Sequence, residues 1–72
     1  MEFTTAEKIN IICKKRNMTL TQLAKATGQT RQNLSNKLKR NNFSESELKT
    51  IADALNCTYV TAFRFNDTEE VL

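Results

Sequence analysis

Histidine and proline are absent from these 72 residues and glycine occurs once, so the chain lacks both the commonest general base and the usual loop punctuation. Catalysis is a poor expectation from the outset. Cysteine is scarce as well: Cys13 and Cys57 lie far apart in a chain without histidine, which matches neither paired zinc-ligand spacing nor a CxxC redox pair. Both are expected as small apolar core residues rather than as a disulfide, and no metal or cofactor is expected. No stretch approaches the roughly 18 consecutive apolar residues that a bilayer span requires. The opening residues Met1 to Thr5 offer no basic segment leading into an apolar run. The expected location is the cytoplasm, with no membrane and no small-molecule substrate as partner.

What is present suffices for a small core. Hydrophobic residues make up 39% of the chain, which argues against disorder. The length suits one unit, residues 1–72, without internal repeat, low-complexity run or linker. A chain of this size buries only about 60% of its extended surface, so stability is marginal and self-association would help.

The formal charge of +3 conceals a division along the chain. Up to Phe43 there are nine basic residues (Lys8, Lys14, Lys15, Arg16, Lys25, Arg31, Lys37, Lys39, Arg40) against Glu2 and Glu7. From Ser44 onward, Lys49 and Arg64 face Glu45, Glu47, Asp53, Asp67, Glu69 and Glu70. No acid occurs between Glu7 and Glu45, so a basic surface there has no local counter-charge, as expected of a polyanion binder. An ordinary solvated basic face would give the same count.

Capping hydroxyls and apolar spacing divide the first 56 residues into four helices. Thr4-Thr5-Ala6-Glu7 sets a hydroxyl three residues before a glutamate, and Ala6, Ile9, Ile12, Cys13 and Arg16 follow at helical spacing, predicting a helix over about 5–16. Asn17 can take the left-handed conformation that ends it. Thr19 then caps a second helix with Leu20, Leu23, Ala24 and Thr27 on one side, stopped by Gly28. Thr30 caps a short polar third helix, about 30–40, in which Leu34 and Leu38 stand four apart. After the loop Asn41-Asn42 and an apolar Phe43, Ser44 and Glu47 form a second hydroxyl–glutamate box. Leu48, Ile51, Ala52 and Leu55 repeat at i, i+3, i+4, i+7, giving a fourth helix that ends at Asn56. Thr58 to Phe65 is β-branched and aromatic, with Tyr59, Thr61, Phe63 and Phe65 alternating. A strand is expected there, turning at Asn66-Asp67-Thr68 to pair with Val71-Leu72, with a short fifth helix over 58–64 as the alternative.

Two short helices joined around a glycine match a helix-turn-helix, whose second helix enters the DNA major groove. Ala24 is small where the helices cross, Gly28 follows where the turn needs a positive φ, and Leu23, Leu34 and Leu38 supply buried anchors. A generic helical hairpin with a glycine cap would share part of this pattern.

The stretch from Met18 through Gly28, continued by Arg31-Gln32-Asn33-Leu34-Ser35 and by the Ile-Ala-x-Ala-Leu run of the fourth helix, resembles the Cro/repressor (lambda-repressor-like) helix-turn-helix family of phage and bacterial regulators. The resemblance covers roughly residues 5–56 and implies a mainly α, compact four-helix bundle. It implies double-stranded operator DNA as partner, and Arg31, Gln32, Ser35 and Asn36 on the groove-facing side of the third helix. Arginine grips guanine in a bidentate way, glutamine and asparagine do so with adenine, and serine bonds several base edges. Thr30, Asn33, Lys37, Lys39 and Arg40, with Gln22 and Lys25 on the second helix, are the expected phosphate contacts. Two positions depart from the family pattern: Leu20 stands where a phosphate-fixing glutamine is common, and Lys37 stands at a usually apolar position.

The expected function is a sequence-specific transcriptional regulator of repressor type, without a catalytic step, working as a homodimer through 58–72. The competing reading is a small adaptor or antitoxin-like module whose basic face grips an acidic protein.

Overall fold

A computed structural model describes residues 2–72, which contain four helices: α1 (Thr5–Lys15), α2 (Leu20–Ala26), α3 (Arg31–Arg40) and α4 (Glu45–Ala54). Each begins on a hydroxyl. Thr4, Thr19, Thr30 and Ser44 hold extended backbone, and each side-chain oxygen accepts the amide three residues on, at 3.1–3.2 Å. This satisfies one of the donors that a helix start leaves orphaned. At α1 and α2 the box is completed in reverse, since the Thr4 amide donates to Glu7 Oε1 and the Thr19 amide to Gln22 Oε1, both at 2.8 Å. At α4 the expected box closes by half. Ser44 Oγ donates to Glu47 Oε1 at 3.2 Å instead, and the other carboxylate oxygen is drawn to Lys37 of α3.

The helix ends share one device. Asn17 (φ 54°), Gly28 (φ 72°), Asn41 (φ 52°) and Asn56 (φ 55°) sit just past the four helices in left-handed backbone. The residue after each donates back to a carbonyl five positions earlier: Met18 to Cys13, Gln29 to Ala24, Asn42 to Lys37 and Cys57 to Ala52, at 2.8–3.3 Å. These are Schellman closures, and they show how a proline-free chain with one glycine stops four helices. Asparagine tolerates the left-handed region because its short amide bonds locally.

One core gathers Ile9 and Cys13 from α1, Leu23 and Ala24 from α2, Leu34 from α3, and Ile51 and Leu55 from α4 and its end. Leu23, Leu34 and Leu55 are fully buried, each contributing about 1.5–3 kcal/mol by removal from water. Ile12, Met18, Leu20, Leu38, Phe43, Leu48, Ala54 and Cys57 pack around them half-buried. Leu20, at the position where a phosphate-fixing glutamine is common, packs on this core instead. Both cysteines are free, and burial pushes the Cys13 thiol above its ordinary pKa. Two side chains staple the bundle from outside: Asn41 Oδ1 accepts the Ala6 amide at 2.9 Å, and Arg16 Nη2 donates to the Asn56 carbonyl at 3.2 Å.

The expected C-terminal strand does not form, and neither does the alternative fifth helix. Residues 58–62 are irregular. Beyond them Phe63 and Leu72 exchange both backbone bonds at 2.8 Å around a single antiparallel bridge, Arg64 to Val71. The alternating pattern fails because a strand needs a neighbour and a half-buried face. Leu72 reaches back only to Phe63, so Thr58 to Ala62 have no ladder partner. Phe63 is 81% exposed while Tyr59 and Phe65 are partly covered, so the alternating residues share no buried side.

Candidate nucleic-acid interface

The turn between α2 and α3 is sealed by its own side chains. Thr27 Oγ1 donates toward the Leu23 and Ala24 carbonyls (2.9 and 3.1 Å) and accepts Gln29 Nε2 at 2.9 Å. With the Gly28 closure, this fixes where α3 starts. Ala24 is 1% exposed in the core, and α2 packs more extensively against α3 than any other pair of helices does.

α3 is mostly polar, and its only fully buried residue is Leu34, seconded by half-buried Leu38. At about 100° per residue these two define the inward face, and Gln32 and Asn36 lie about half a turn away. Arg31 and Gln32 are exposed, and Ser35 and Asn36 are half-buried. Gln32 and Asn36 are joined, Gln32 Nε2 donating to Asn36 Oδ1 at 3.0 Å. Lys39 and Arg40 extend exposed toward the helix end.

The expected phosphate contacts divide by what already occupies them. Thr30 accepts the Asn33 amide as the α3 cap, and Gln22 accepts the Thr19 amide through Oε1, leaving its own amide group unpaired. Lys25 is exposed at the end of α2. Asn33 and Lys37 face α4 rather than the stripe of Gln32 and Asn36. They line an open cleft of about 330 Å³ together with Thr27, Gln29, Glu47 and Thr50. Across it Lys37 Nζ lies 2.7 Å from Glu47 Oε2. That ammonium holds the Glu47 carboxyl below its ordinary pKa, chiefly by hydrogen bonding, with burial opposing and Ser44 adding. Lys37, expected on a phosphate, thus fastens α3 to α4.

Cations cluster in the last turns of α1 (Lys14, Lys15), α2 (Lys25) and α3 (Lys37, Lys39, Arg40), where the helix dipole favours them, and the first turn of α4 carries Glu45 and Glu47. The dipoles account for part of the charge division in the sequence. They do not account for Arg31, which stands at the opposite, N-terminal end of α3.

Residues 8–67 match the family model of the Cro/C1-type HTH DNA-binding domain. The chain belongs to that family. No curated protein and no solved structure matches it. As a Cro/C1-type domain it is a DNA-binding helix-turn-helix, and the matched span takes in all of α2 to α4 and most of α1. Among the described residues no helix is long and apolar enough to cross a membrane, and no acidic, histidine or cysteine cluster could hold a metal.

Three residues that hold the elements of this candidate interface together had roles not assigned from the sequence. Gln29 locks the turn through Thr27, Asn41 ties the end of α3 to the start of α1, and Glu47 anchors Lys37. Glu47 carried a signal as a cap residue, and it does bond Ser44, but nothing in that signal indicated Lys37 as its second partner.

Proposed function

We propose that this chain is a sequence-specific double-stranded DNA-binding regulator of repressor type that reads the major groove with α3. The observation that carries this reading is the accessible polar chemistry of α3. The exposed guanidinium of Arg31 and amide of Gln32, with half-buried Ser35 and Asn36 beside them, stand on a helix anchored by Leu34 and by a sealed turn. Arg31 and Gln32 offer bidentate contacts to guanine and adenine, and Ser35 and Asn36 extend the row. Lys39, Arg40, Lys25, Gln22 and Thr30 flank it as phosphate contacts, which set register without reading sequence. Asn33 joins them from the cleft side.

A single helix-turn-helix covers few base pairs, so a homodimer on two half-sites about 34 Å apart is the working form. The segment 58–72 is the dimerisation region. It exposes Val60, Phe63, Val71 and Leu72, and it carries Asp67, Glu69 and Glu70, whose charge suits a place away from phosphates. Such a regulator works in the cytoplasm, by occupying its operator, without a catalytic step.

Gel-shift titration across salt concentrations tests this. A log–log slope near −0.9 per phosphate contacted, together with a selected consensus site, is the expected result. Absence of DNA binding, with capture of an acidic protein instead, would put an adaptor in its place.

A further inference from the structure

Gln32 and Asn36 stand one helical turn apart on the side of α3 away from the core, and their side chains are already bonded to each other. A glutamine amide has one acceptor oxygen and two N–H groups, and here one N–H is spent on Asn36 Oδ1 at 3.0 Å. What remains on Gln32 is an oxygen and one N–H, the complement of adenine N6 and N7. What remains free on Asn36 is different. Its oxygen is turned back to Gln32, so its outward offer is two N–H donors.

We propose that the two residues read as one unit. Gln32 takes an adenine, and Asn36 takes a neighbouring base pair through an acceptor-rich edge, guanine O6/N7 or thymine O4, rather than through the adenine edge that an unpaired asparagine would prefer. The inference rests on α3 being the reading helix and adds the class of base at each position. Arg31, one residue before Gln32 and without an ion-pair partner among the described residues, remains free for a separate guanine.

Binding-site selection from random duplex DNA, run on the full chain and on Gln32→Ala, Gln32→Met and Asn36→Ala, tests the coupling. The wild type should select an adenine with a guanine or thymine beside it. Asn36→Ala should lose the second preference and keep the adenine. Both Gln32 variants should lose the adenine and, with Asn36 Oδ1 released, admit adenine at the second position by about fivefold or more, the lower range of a good base contact. If the Gln32 variants leave the second position unchanged, the coupling is overturned while base reading by α3 stands. If the wild type selects no sequence at all, the inference falls together with the reading beneath it.

Discussion

Replacing Gly28 by asparagine, alanine and valine separates backbone conformation from crowding in the turn that sets α3. Gly28 holds φ +72°, and a Cβ built there would meet no atom within 4 Å, so the whole cost of substitution is conformational. Left-handed backbone costs an ordinary L-residue about 1–2 kcal/mol. Losing glycine's freedom in the unfolded chain returns about 0.4–1 kcal/mol. Gly28→Ala should therefore cost about 1 kcal/mol. Gly28→Asn should come close to neutral, because Asn17, Asn41 and Asn56 occupy the same backbone region at the ends of the other three helices. Gly28→Val should lose about 2–3 kcal/mol, since a β-branched residue at positive φ is a true outlier. At about 4–8 °C per kcal/mol for a domain this small, thermal melts should rank glycine and asparagine together, alanine below them and valine lowest. An asparagine variant melting as low as the valine one would refute the argument, because open space and left-handed tolerance would then not describe the turn.

Ala24→Leu should destabilise by about 1–3 kcal/mol or more in denaturant titration, because Ala24 is 1% exposed within the core and the added isopropyl group overpacks it. Arg31→Ala and Gln32→Ala should each cost about 1–3 kcal/mol at the selected site and little on random DNA, whereas Lys39→Ala and Arg40→Ala should weaken both alike and flatten the salt slope by about one unit each. Glu47 has its folded-state pKa depressed, so its contribution is present above its ordinary pKa and lost as pH falls through the depressed value. Melts of wild type and Glu47→Gln should therefore differ near neutral pH and converge on acidification. Sedimentation at about 100 μM should give a dimer for the full chain and a monomer for a chain cut after Cys57, and a monomeric full chain would remove 58–72 as the dimer region.

The four helices were legible because their signals are local. A hydroxyl cap, an i, i+3, i+4 apolar row and a residue fit for left-handed backbone lie within a few positions of one another, and Thr4, Thr19, Thr30 and Ser44 with Asn17, Gly28, Asn41 and Asn56 mark the ends. The tail misled for the converse reason. β-propensity describes fitness for a pleated, half-buried surface, and whether Tyr59 to Phe65 meets such a surface depends on residues that the local pattern does not contain. The site was legible in its residue types and only partly in their geometry. Lys37 belongs to the same basic run as Lys39 and Arg40, yet it lies on the side of α3 that faces α4, and its partner Glu47 is ten positions away. Nothing in the spacing of charges distinguishes a cation waiting for a phosphate from one already held by a carboxylate.

The diversion of Glu47 bears on how so polar a helix can be held in place. Ten residues are too few for a stable helix in water, and Arg31 to Arg40 brings only two leucines to the core, so α3 takes its order from its neighbours. The attachments are spread along its length: the Thr27–Gln29 turn before it, Leu34 in the first half, Lys37 to Glu47 in the second, and Asn41 to the start of α1 just beyond it. All four leave the face carrying Gln32 and Asn36 untouched. A half-buried ion pair of this kind adds little to stability, as would the cap bond that Glu47 forgoes, so folding gains little by the exchange. What changes is position, because the cap bond would stay within α4 whereas the ion pair ties α3 to it across the cleft. On the proposed reading, a helix held on both sides would present its amides at the operator, where affinity and discrimination are set, with their ordering entropy already lost in folding.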